Sequence, residues 1–82
     1  MTILDQILMD YPEEIFYIAF GFDDAIIGFD ESGRRLVYDI DEVINILVDD
    51  GMTHDEAVEY YDFKIANSFV GEGTPIFIKI YI

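Results

Sequence analysis

Adjacent carboxylates recur along this chain, at Glu13-Glu14, Asp23-Asp24, Asp30-Glu31, Asp41-Glu42, Asp49-Asp50 and Asp55-Glu56. Three chemistries use acids in such numbers: ligation of a hard cation, acid–base catalysis, and imitation of a row of phosphates. A calcium loop needs D-x-[DN]-x-[DN]-G with a Glu at its twelfth position. Asp49-Asp50-Gly51 and Asp30-Glu31-Ser32-Gly33 hold pieces of that pattern without its spacing, so no metal or other cofactor is expected. His54 is the only histidine and there is no cysteine, which removes two-His and thiolate metal motifs and any disulfide.

Catalysis fares no better. A nucleophile requires a base with an orienting partner, and Ser32, Ser68 and Thr74 stand in no pattern that supplies one. Two carboxylates alone serve glycosidases, but 82 residues leave little room for a substrate cleft. Gly71-Glu72-Gly73 lacks the Lys-Ser/Thr end of a phosphate loop and precedes an apolar run of strand character. A non-enzyme is expected.

Phosphate imitation is the chemistry that the totals favour. Eighteen Asp and Glu against four Lys and Arg give a net charge of −14. A globule of this length has a radius of gyration of roughly 12 Å. Spread across its diameter, the excess is about one charge per 2 Å, near the roughly 1.7 Å per charge of duplex DNA. Such a surface attracts a basic partner and disfavours direct binding to nucleic acid or to anionic lipid. Many of the acids stand at turns and helix starts, where they satisfy free amides. Capping accounts for their positions but not for their total. Two readings of the surplus stay open: a functional anionic surface, or solubility alone.

The elements that would position these acids follow from caps and periodicity. Thr2 with Asp5 resembles a capping box, and Ile3, Leu4, Ile7, Leu8 and Tyr11 form one helical face ended by Pro12. Ile15 to Phe22 reads as a strand buried on both faces. Ala25–Phe29 and Arg34–Tyr38 read as two more, separated by a turn in which Gly33 supplies a positive φ. Asp39 and Glu42 cap a helix through Ile40, Val43, Ile44, Leu47 and Val48, with Gly51 at its C′ position. Thr53 and Glu56 open the next helix, whose apolar face runs through Ala57, Val58, Tyr61, Ile65 and Phe69. After Gly71 and Gly73, Ile76–Ile82 alternates as a final strand, an edge that would suit a homodimer. Residues 1–82 thus read as a single α+β domain: a helix, a three-stranded antiparallel meander, two helices and a C-terminal strand.

On that frame Asp55, Glu59 and Asp62 fall at i, i+4 and i+7, an exposed ridge roughly 10 Å long at 1.5 Å per residue. Glu56 stands beside it, Asp49 and Asp50 precede it, and Tyr60 is placed to act as an interface anchor. These seven residues are the candidate partner-binding set. The N-terminus has no basic region followed by an apolar core, and the longest apolar run, Ile15–Phe22, is too short to span a bilayer. A cytoplasmic protein is expected.

The second half resembles a group of small phage and prophage proteins. The resemblance rests on Val37-Tyr38-Asp39, on Gly51-Met52-Thr53-His54-Asp55-Glu56-Ala57, and above all on Phe69-Val70-Gly71-Glu72-Gly73-Thr74-Pro75-Ile76-Phe77. It covers about half of the chain, and the group carries no established activity or catalytic residues to transfer. It implies a phage accessory gene acting inside a bacterial cell, similar in character to anti-restriction and anti-CRISPR inhibitors. The expected partner is then a basic nucleic-acid-binding host protein, such as a nuclease or defence complex. The alternative is a non-catalytic structural or assembly module, homodimeric through its last strand.

Overall fold

Each helix begins at a residue whose side chain takes over an amide that the helix itself leaves unbonded. In the computed structural model, which describes residues 1–68 and 71–82, α1 spans Ile3–Asp10, α2 Ile40–Asp49 and α3 His54–Tyr60. Thr2 and Asp5 close a capping box at the start of α1, with both bonds at 3.1 Å. Thr53 and Glu56 do the same for α3, at 2.8 and 3.2 Å. Asp39 caps α2 by accepting from the Asp41 amide at 3.0 Å, and Glu42 does not complete a box there. The far end of α2 is a Schellman turn. Met52 N–H donates to Leu47 and Gly51 N–H to Val48, with Gly51 at φ +115°.

The sheet contains β1 (Ile26–Asp30), β2 (Arg35–Asp39) and β3 (Ile76–Ile78), in that order. β1 and β2 form an antiparallel hairpin, whereas β3 runs parallel to β2. The α+β class therefore holds, but the sheet is mixed and not antiparallel throughout. The cause is the connection. Strand β2 leads into α2 and α3, and this helical crossover returns the chain to the starting end of β2, where β3 enters in the same direction. β3 is also shorter than the Ile76–Ile82 alternation predicts. Its last partner is Asp39, and Asp39 already begins α2.

A bulge between Ile26 and Gly28 reconciles β1 with the core. It sets Ile26 opposite Tyr38 and Phe29 opposite Leu36, so two residues three apart share the buried face. Tyr38 stacks against Phe77 at 5.3 Å, and Phe77 meets Tyr61 edge-on at 5.8 Å. Val43, Ile44 and Leu47 from α2, Ala57 from α3, Ile65, and Ile7 from α1 complete one contiguous core. The radius of gyration is 12.9 Å, over extents of 38 × 28 × 25 Å.

Two further expectations are corrected. Ile15–Phe22 forms no strand; apart from the turn at Asp23–Ala25, the chain between α1 and β1 is irregular. Phe16, Ala19 and Phe22 pack on the core, while Ile15 is 89% exposed and Phe20 97%. Inward residues spaced by three cannot alternate across a sheet, so the segment lies over the core as a coil. In the hairpin turn the positive φ belongs to Arg34 (55°), not to Gly33. Gly33 instead leaves room for the side chains of Asp30 and Arg35. A Cβ there would stand 2.5 Å from Asp30 Oδ2 and 2.8 Å from Arg35 Nε, inside the cross-strand ion pair of those two residues.

Beyond Tyr60 the chain widens into a π-helical turn, Tyr61–Ile65, closed by Ala66 N–H donating to the Tyr61 carbonyl at 2.8 Å. The predicted end of this helical face at Phe69 lies outside the described residues, as do Phe69 and Val70 of the phage-like motif.

Candidate functional site

The acids predicted to carry function divide by what they already touch. Glu56 is committed to α3: its carboxylate accepts the Thr53 amide, and that bond holds its pKa below the ordinary carboxylate value. Asp49, Asp50, Asp55, Glu59 and Asp62 are exposed and make no side-chain hydrogen bond or ion pair among the described residues. The ion pairs lie elsewhere, Arg34 with Glu14 at 3.1 Å, Arg35 with Asp30 at 3.2 Å and Lys79 with Asp41 at 3.0 Å.

Asp49 and Asp50 sit in the last turn and at the C-cap of α2. That is the negative pole of the helix dipole, where a carboxylate is repelled instead of held. Neither capping nor the dipole explains them. Only the turn Gly51–Thr53 separates them from α3.

On α3 the structure gathers part of the predicted set. Glu56, Glu59 and Tyr60 line one open groove of about 350 Å³ together with Met52, Phe63 and Lys64. Asp55 and Asp62 are exposed neighbours in sequence but do not line it, and neither do Asp49 and Asp50. Because the π-turn begins one residue before Asp62, that acid rides a wider turn than the i, i+7 spacing assumes.

Phe63 is the residue that the sequence reading passed over. It is 73% exposed, beside Tyr60 at 41%. The signal was present. The apolar face of this helix runs through Ala57, Val58, Tyr61 and Ile65, so Phe63, four residues after Glu59, falls among the acids. Lys64 was passed over as well. It is the one Lys or Arg side chain with no acid in ion-pair range among the described residues.

Two other surfaces stand out, the second of which shares Lys64 with this groove. One is a cleft of about 740 Å³ lined by residues 13–15 and 17, the β-hairpin turn and Gly71–Gly73. Its two arginines are already neutralised by Glu14 and Asp30. The second is the exposed apolar run Ile15, Tyr17, Ile18 and Phe20. Among the described residues, no three His, Cys, Asp or Glu are placed to hold a metal ion. No helix of the described residues is long and apolar enough to cross a membrane.

The fold and this surface together define a small acidic α+β domain with two exposed aromatics, Tyr60 at the end of α3 and Phe63 in the π-helical turn after it, set among carboxylates. Comparison with protein-family models, curated proteins and solved structures gives no match to this chain.

Proposed function

We propose that this chain is a protein-interaction inhibitor that offers the acidic surface of α3 and the end of α2 to a basic, nucleic-acid-binding host protein. The observation that carries the reading is the set of exposed, unpaired carboxylates Asp49, Asp50, Asp55, Glu59 and Asp62. Two of them stand where the helix dipole opposes them, so their placement has no account in folding. A groove built to bind phosphates presents Lys and Arg, and carboxylates compete for those groups. The resemblance to phage proteins supports an anti-defence role, of the anti-restriction or anti-CRISPR type, in the cytoplasm of a bacterial host. The inhibitor works without catalysis and without a cofactor.

A structural module that dimerises through β3 is the second reading, favoured by exposed Ile78, Ile80, Tyr81 and Ile82. Against it, β3 is three residues long, preceded by Pro75 and followed by Lys79, and these are devices that limit edge pairing. The test is a tagged pull-down from nuclease-treated bacterial lysate, washed at low and then high salt, beside a D55N/E59Q/D62N variant. One nucleic-acid enzyme, eluted by salt and lost in the variant, supports the inhibitor. Recovery of only further copies of the chain supports the module.

A further inference from the structure

We infer that the groove on α3 docks a cationic amphipathic segment of the partner, with an apolar side chain seated on Phe63 and Tyr60 and flanking Lys or Arg on Glu56 and Glu59. The inference rests on the interaction reading above and adds the chemistry of the contact. A pure phosphate mimic would present an unbroken acidic row. Here the row is interrupted by two exposed aromatic rings, and Lys64 also lines the groove.

Each lining residue narrows the choice of occupant. Phe63 is 73% exposed, and covering such a ring is worth far more than a rim ion pair. Met52 supplies an adaptable apolar floor. Glu59 has no side-chain partner among the described residues, and Glu56 keeps carboxylate capacity beyond its one bond to Thr53. A second copy of the chain is disfavoured as occupant, since it brings a net charge of −14 to the same face. A string of lysines alone is also disfavoured, because Lys64 repels it where the rings stand. What fits is an aromatic or aliphatic knob between positive charges, the arrangement of a hot spot within a charged rim.

The experiment uses two synthetic peptides of equal length and equal positive charge. One carries Leu and Phe at i, i+4 spacing between lysines, and the other carries Ser at those places. Binding to the full chain is followed by amide chemical shifts. The apolar-bearing peptide should bind about tenfold more tightly, a difference of roughly 1.4 kcal/mol. Its largest shifts should fall on Met52, Glu59, Tyr60, Phe63 and Lys64. Phe63→Ser, at an exposed position, should abolish the preference, while Phe20→Ser should leave it intact. Equal, salt-sensitive binding of both peptides would overturn this inference and leave the interaction reading standing. A preference lost in Phe20→Ser instead would also overturn it, moving the contact to residues 15–20. Binding of neither peptide would overturn both.

Discussion

The amide of Ala19 donates a 2.8 Å hydrogen bond to the hydroxyl of Tyr38, which ties the irregular apolar segment to the centre of the sheet. Tyr38 is fully buried, and burial raises the pKa of its hydroxyl. The ring packs against Phe77 while its oxygen serves a backbone that no strand pairs. Tyr38→Phe should leave the Ala19 N–H without that partner and cost about 1–2 kcal/mol. Urea unfolding measures the loss, and hydrogen exchange at Ala19 should accelerate more than at β2 amides. Unchanged stability would mean that water replaces the hydroxyl without cost.

Gly51 closes α2 in the short turn that leads to α3. Its φ of +115° strains any residue with a Cβ, although nothing stands within 4 Å of that position. Gly51→Ala should therefore destabilise by about 1–2 kcal/mol through backbone strain alone. Thermal or urea denaturation tests this, and a far-UV spectrum retaining helix confirms that the fold survives.

Asp49 and Asp50 oppose the dipole of α2 and add to a net charge of −14. D49N/D50N should raise the unfolding midpoint at low salt. The gain should shrink as salt is added, because screening already relieves the repulsion. A midpoint that falls would show the two acids to be structural.

The pH dependence has a definite sign. Asp5 and Glu56 are held below their ordinary values chiefly by the amides of Thr2 and Thr53. Asp30 is held down first by the Ser32 hydroxyl, then by the Gly33 amide and Arg35. Their folded pKa values lie below the unfolded ones, so their stabilisation is complete above the unfolded values and is lost as pH falls through the folded ones. Acid unfolding should therefore set in below about pH 4. D5N/E56Q removes the two carboxylates that these amides hold ionised, so that limb should fall less steeply with pH, as followed by circular dichroism.

The helices were legible because two independent signals agree in each: a capping residue and apolar positions at 3.6-residue spacing. Thr53-x-x-Glu56 and Gly51 sit where the sequence places them. Residues 15–22 were not legible. An apolar run does not reveal whether its residues point inward every second or every third position. Nor does alternation in Ile76–Ile82 reveal where β2 runs out, since Asp39 is consumed by the α2 cap. For the candidate surface, charge pointed to α3, but the groove there is also lined by Phe63, an aromatic on the polar side of the helical segment that the charge pattern does not reveal.

The central claim is that the α3 face occupies a groove meant for nucleic acid. The most direct measurement is displacement of labelled DNA or RNA from the purified captured partner by this chain, read by fluorescence anisotropy across a salt series. The account predicts full displacement at low salt, weakening as salt rises, and a loss of at least about tenfold in potency for D55N/E59Q/D62N. Simultaneous binding of nucleic acid and this chain, or displacement unaltered in the variant, would contradict it.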